Sequence, residues 1–292
     1  MKKFKSTVQS FLVFLVAVVA TFAVLSLFVS TDEEDGGNSP AQLEEPPVPQ
    51  DITMVALGDS LTEGVGDLSK RGGYVPVTSE LLEDKEMFAT VQAVNAGKSG
   101  ATAADVQEII QTNKELEDEL ASADMIVLSV GGNNLVQTLS QTGLNAPKEA
   151  FDRPLMDYRK DLTDLLNEVR KRNTEAPLYV FGIYNPYYYY FSEIEPLQQV
   201  IDMWNNTTEE VVEENGQSHF ISIDHMFNTL DNVVSGEKIE EETEGTAQRA
   251  HPYLFQGDYF HPNEDGYRLM ADALVEEIEQ TWKTEQDTAE EQ

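Results

Sequence analysis

The sequence contains no cysteine. Disulfides, a thiolate nucleophile, thiolate metal ligands and a lipid anchor on cysteine are all excluded. Histidine is scarce, at 4 of 292 residues, and no set of His, Asp and Glu has metal-ligand spacing. No metal site is therefore expected. Positive charge is scarce too. Nineteen Lys and Arg face 53 Asp and Glu, a formal net charge of −34. Such a surface repels phosphate backbones and anionic headgroups, which argues against a nucleic-acid partner. No internal repeat is present.

What is there begins with a hydrophobic content of 40%, ordinary for a globular core. The one long apolar run, uncharged from Phe11 to Val29, follows Lys2, Lys3 and Lys5. As a helix it spans about 30 Å, one hydrocarbon core. Lysines before the run and Asp32, Glu33, Glu34 and Asp35 after it predict an inside N-terminus and an exported remainder. Residues 1–30 are read as a membrane anchor, which gives the chain a membrane partner. A long cleaved signal peptide, and so a secreted protein, is the alternative. Residues 31–50, rich in Asp, Glu, Pro and Gly, read as an acidic flexible linker. Residues 51–283 read as the folded domain and 284–292 as an acidic tail.

Within that domain short apolar runs alternate with helical periodicity. Strands are predicted over Ile52–Leu57, Thr90–Asn95, Met125–Val130, Leu178–Ile183 and Phe220–Ile223. Helices are predicted over Tyr74–Lys85, Ala103–Gln111, Lys114–Leu120, Leu155–Arg172, Pro196–Glu214 and Glu264–Trp282. Alternation of this kind implies an α/β fold: a three-layer α/β/α sandwich around a five-stranded parallel sheet. The polar, acidic stretch 228–249 reads as a solvated insertion.

Open parallel sheets place ligands at the carboxyl ends of their strands. The first predicted strand ends at Gly58-Asp59-Ser60-Leu61. The second is followed by Asn95-Ala96-Gly97-Lys98-Ser99-Gly100-Ala101-Thr102, and the third by Gly131-Gly132-Asn133-Asn134. Asp258-Tyr259-Phe260-His261-Pro262-Asn263 precedes the last helix. These four segments carry what acyl transfer requires. Ser60 is a candidate nucleophile, which needs a base. His261 can be that base, since imidazole titrates near neutrality. Asp258, three residues earlier, can fix its tautomer. The backbone N–H groups of Ser60 and Gly100 and the side-chain amide of Asn133 are candidate oxyanion donors. Gly100 can equally be a turn glycine, Asn133 and Asn134 can cap a following helix, and Asp59 reads as a structural turn residue.

The aromatic run Tyr184–Phe191 follows the fourth strand. It offers an apolar wall for an acyl chain, a stacking surface for a sugar, or a loop packed on itself. Tyr187 and Tyr188 are the candidates it contributes to the substrate pocket, and Tyr74, beyond Ser60, is a third. His219 and His225 read as structural, and His251 as structural in preference to pocket-lining.

The constellation resembles the SGNH, or GDSL, hydrolases. Ser60, Gly100, Asn133 and His261 occupy the four hallmark positions in order, and the resemblance spans about Ile52 to Trp282. Within the family the chain looks most like lysophospholipase-L1-type esterases of Gram-positive bacteria. The resemblance implies a flavodoxin-like fold and a Ser-His-Asp mechanism without cofactor, cleaving carboxylic esters of small molecules, lipids or glycans. A carbohydrate O-deacetylase and a non-catalytic glycan-binding surface protein are the alternatives. Two departures affect the site: Asn134 stands where an Asp is usual, and Ala101 where an Asp is common. Oligomeric state is not legible.

Overall fold

The computed structural model describes residues 49–143, 146–188, 195–228 and 251–290. The expected anchor, nearly all of the linker, residues 189–191 of the aromatic run and residues 229–249 of the acidic insertion lie outside them.

Five strands form one sheet: β1 (Asp51–Gly58), β2 (Thr90–Gly97), β3 (Met125–Ser129), β4 (Leu178–Phe181) and β5 (Ser218–Ile221). Their spatial order is β2-β1-β3-β4-β5, and every pairing is parallel. Register sets Gly58 of β1 beside Gly97 of β2 and Ser129 of β3, so three strands end together. In chain order the helices are α1 (Ser60–Glu63), α2 (Tyr74–Asp84), α3 (Ala103–Thr112), α4 (Lys114–Ala121), α5 (Gly132–Thr142), α6 (Asp152–Arg170), α7 (Glu195–Glu213), α8 (Asp224–Asn228) and α9 (Glu264–Glu290). A 3-10 turn, Lys148–Phe151, precedes α6.

The central strands are apolar on both faces because both faces are covered. Side chains alternate across a strand, so each strand supplies two cores. Val55, Leu57, Ile126, Leu128, Leu178 and Val180 join Val106 of α3, Leu162 and Leu166 of α6 and Trp204 of α7. Met54, Ala56, Met125, Val127, Tyr179 and Phe181 join Leu82 of α2 and Met270, Leu274 and Ile278 of α9. The result is the expected three-layer α/β/α sandwich with its five-stranded parallel sheet.

Some boundaries move. β4 stops at Phe181, two residues short of Ile183, and β5 starts at Ser218. α9 continues past Trp282 to Glu290; the added segment contains neither Gly nor Pro, and Lys, Glu, Gln and Ala, five of its eight residues, are good helix formers. α1 follows β1 at once and is a single turn, too short for apolar periodicity to reveal.

Candidate active site

The site begins where β1 stops. Gly58 has φ +149°, and a Cβ there would lie 2.4 Å from the Ser129 carbonyl oxygen. Only glycine lets the chain turn this close to β3. The Asp59 N–H then donates to that carbonyl at 3.0 Å. The Asp59 carboxylate caps α1 by accepting the Leu61 N–H at 3.0 Å, and accepts the Ser129 hydroxyl at 2.9 Å. Thr62 Oγ1 lies 2.7 Å from Ser129 Oγ, 2.8 Å from the Tyr74 hydroxyl and 3.0 Å from the Leu57 carbonyl. A buried polar network thus underlies Ser60. Burial pushes the Asp59 carboxyl up to about 6, against the lowering effects of its bonds to Leu61 and Ser129 and of the nearby His261. Asp59 is the structural turn residue expected of it.

Ser60 is the first residue of α1 and is 6% exposed. Its hydroxyl meets a loop from the far end of the chain. His261 Nε2 lies 2.9 Å from Ser60 Oγ, and His261 Nδ1 lies 2.7 Å from Asp258 Oδ2. A carboxylate opposite Nδ1 fixes the proton there and leaves Nε2 as an acceptor for the hydroxyl hydrogen. The other Asp258 oxygen accepts the N–H groups of Phe260 at 2.9 Å and His261 at 3.0 Å. Burial raises the Asp258 carboxyl, but the His261 ring and these two N–H groups outweigh it, leaving the group below its ordinary value and ionised. The tight turn puts Tyr259 at φ +55°. Backbone bonds from Phe255 N–H to the His261 carbonyl at 2.8 Å and from Asn263 N–H to the Tyr253 carbonyl at 3.0 Å clamp its base.

The donor side is more dispersed. Among the described residues the Ser60 N–H has no hydrogen-bond partner, which leaves it available to an incoming oxygen. The Asn133 side-chain amide donates one hydrogen to the Ala101 carbonyl at 2.9 Å, and Asn133 lines the cavity at Ser60. Asn134 Oδ1 accepts the Ala103 N–H at 3.2 Å, so an amide does there what a carboxylate oxygen would. Neither asparagine caps α5. Its N-cap is Gly131, at φ +106°, where a Cβ would lie 2.6 Å from the Tyr158 hydroxyl. Gly100 sits in the turn beyond β2 at φ +82°, exposed, with its N–H unpartnered among the described residues; it does not line the cavity at Ser60.

The three tyrosines separate. Tyr74 is a correction. It is fully buried, its ring edge packs on Phe181 at 5.0 Å, and its hydroxyl belongs to the Thr62 network, so it supports the nucleophile turn from beneath and does not line the cavity at Ser60. Being near Ser60 in the chain did not determine which way its side chain points. Tyr187 lines a large groove. Tyr188 is half-buried, donates its N–H to the Asn185 carbonyl at 3.3 Å, and is not among the groove's walls. His251 is buried, with Nδ1 accepting the Tyr253 N–H at 3.1 Å and Nε2 3.0 Å from the Phe227 carbonyl, as expected of a structural histidine.

Sequence reasoning missed the groove. A cavity of about 40 Å³ at Ser60 shares Gly132, Ile183, Tyr184, Pro186 and Phe260 with a groove of about 640 Å³. The groove's far walls are Leu135, Val136 and Leu139 of α5 and Leu197 and Ile201 of α7. The available signal was the i, i+4 pair Leu135 and Leu139, directly after the Asn133 block.

Residues 56–269 match the GDSL-like lipase/acylhydrolase family. The chain is 28% identical over 255 residues to the uncharacterized protein YpmR of Bacillus subtilis (strain 168), across 87% of this chain and 92% of that one. It is similar in structure to the lipase Lip_vut3 from a goat rumen metagenome, with TM-score 0.61 and 23% identity over 76% of this chain and 95% of that chain. It is also similar to an acetylxylan esterase from Geobacillus stearothermophilus, with TM-score 0.55 and 21% identity over 79% and 95% of the two chains. At these identities the solved structures show a shared fold.

Proposed function

The chain belongs to the GDSL-like lipase/acylhydrolase family and is a serine ester hydrolase, and we propose that it cleaves esters with an apolar acyl chain, in the manner of a lysophospholipase. Ser60 Oγ attacks the ester carbonyl as its proton passes to His261 Nε2. Asp258 holds the Nδ1 proton and stabilises the imidazolium. The tetrahedral oxyanion takes hydrogen bonds from the Ser60 N–H and the free hydrogen of the Asn133 amide; Gly100, outside the cavity at Ser60, is not among these donors. Collapse breaks the bond to the alcohol oxygen, which leaves with the proton from His261. Water, deprotonated by the same nitrogen, then frees the acid from Ser60. The N-terminal segment would hold this chemistry outside the cell, on the membrane or in secreted form, where lipid and glycan esters are met.

The observation that carries the acyl-chain reading is the groove. Its volume of about 640 Å³ lies in the range of sites that engulf whole ligands, and its walls are mostly apolar, with Leu135, Val136, Leu139, Leu197 and Ile201 set against the few hydroxyls of Ser140, Tyr184 and Tyr187. An acetyl group would need only the 40 Å³ cavity at Ser60. The test is kcat/KM for p-nitrophenyl esters from acetate to decanoate, with Ser60→Ala as control. A rise with chain length, lost in Ser60→Ala, is expected. A maximum at acetate favours the carbohydrate O-deacetylase instead. Equal turnover by Ser60→Ala leaves only a non-catalytic binding role.

A further inference from the structure

Two cavities meet at Ser60, and the residues common to both define a neck between the scissile bond and the groove. Gly132, Ile183, Tyr184, Pro186 and Phe260 are those residues. Four of them carry fixed bulk. The Tyr184 ring stacks on Phe227 at 4.0 Å, and its hydroxyl donates to the Phe260 carbonyl at 2.6 Å, so this wall is tied to the loop that carries His261. Ile183 is held on both sides by Asn205, which accepts its N–H at 2.8 Å and donates to its carbonyl at 2.9 Å. The remaining wall, Gly132, has no side chain.

Nothing in the fold requires glycine at this position. Gly132 is absent from the positive-φ glycines, whereas its neighbour Gly131 is among them. A Cβ built on Gly132 meets only Ile183 Cγ2, at 3.9 Å, an ordinary van der Waals contact. That contact puts a Cβ at position 132 against Ile183, another residue of the neck. As the first residue of α5, position 132 would also accept alanine with a small gain from reduced freedom of the unfolded chain.

We propose that Gly132 determines acyl-chain specificity: its missing side chain keeps the passage from Ser60 into the Leu135–Ile201 groove open to a chain of several methylenes. This rests on the acyl-chain reading of the site. Each methylene buried beyond the neck raises kcat/KM about fourfold, so the effect of closing the neck grows with chain length.

The experiment is kcat/KM of the full chain towards p-nitrophenyl acetate, butyrate and octanoate for the parent, Gly132→Ala and Gly132→Val. Leu139→Phe, which fills the groove beyond the neck, accompanies them, and thermal melting follows folding. The octanoate-to-acetate ratio is expected to fall several-fold in Gly132→Ala and at least tenfold in Gly132→Val, with melting temperatures at or above the parent's for alanine. Leu139→Phe is expected to lower the octanoate rate relative to butyrate. A parent without preference for octanoate overturns the acyl-chain reading itself. A parent that prefers octanoate while Gly132→Val retains its ratio overturns the role of Gly132 and leaves that reading standing. A uniform loss on all three esters also overturns it, by showing that the substitution acts through the neighbouring Asn133.

Discussion

His261 Nε2 lies 2.9 Å from Ser60 Oγ across 201 positions of chain. The nucleophile sits just beyond the end of β1 and the base on a loop before the last helix. Only the parallel sheet brings the two together. Replacing Ser60 leaves His261 with only Asp258 as a partner, and replacing His261 leaves the Ser60 hydroxyl without its base.

Asp258→Asn tests the partner of that base. An amide opposite His261 Nδ1 permits the wrong tautomer and cannot stabilise the imidazolium. The kcat should fall on the order of 10³–10⁴-fold with little change in KM. A loss under tenfold would show that Asp258 serves only to shape the turn.

Asn133→Ala removes one oxyanion donor and the tether to the Ala101 carbonyl. The kcat should fall about 10²–10³-fold, because the donor faces charge that develops only in the transition state. Steady-state kinetics on a soluble ester provide the measurement, and a change confined to KM would contradict it.

Thr62→Val keeps the shape of a buried residue while deleting the hydroxyl that lies within bonding distance of Leu57, Tyr74 and Ser129. The partners lose a bond in a place water cannot reach. Unfolding by urea should show a loss of about 1–3 kcal/mol. Unchanged stability would mean that the network closes without Thr62.

Asp59 predicts a pH dependence. Its folded-state value of about 6 stands above the reference value of 3.8, so the folded protein holds this proton more tightly. Stability from this group is present in full below about pH 4 and is lost as the pH rises through about 6. Asn at this position keeps the acceptor oxygen and never ionises. Between about pH 4 and pH 7 the stability difference between Asp59→Asn and the parent should shift by about 2 kcal/mol in favour of the variant. Unfolding curves of the two proteins that move in parallel with pH would refute this.

Much of this molecule was legible because its strands are buried on both faces. Met125–Leu128 reads as an unbroken apolar run for that reason. The long helices α6 and α7 announced themselves by an amphipathic period. Ser60 and Asn133 were legible because their segments follow the ends of β1 and β3, where a parallel sheet gathers its ligands, whereas Asp258 and His261, on a loop before the last helix, were legible from their three-residue spacing and complementary chemistry. Legibility failed where direction or long-range assembly decides. Tyr74 follows a Gly-Gly pair near Ser60, yet its ring enters the core against Phe181. The groove is formed by α5 and α7, whose lining residues Leu139 and Leu197 look like any core leucines until the two helices are set side by side. The single turn α1 is fixed by Asp59 capping Leu61, an interaction that four residues of sequence do not distinguish from a loop.

Asp258 and His261 share one turn, clamped at its base by bonds between Phe255 and His261 and between Tyr253 and Asn263. Acid and base therefore travel as a single cassette. Any loosening of that clasp carries both away from the serine at once, so heat or denaturant should switch the chemistry off in one step, with no half-competent form in between.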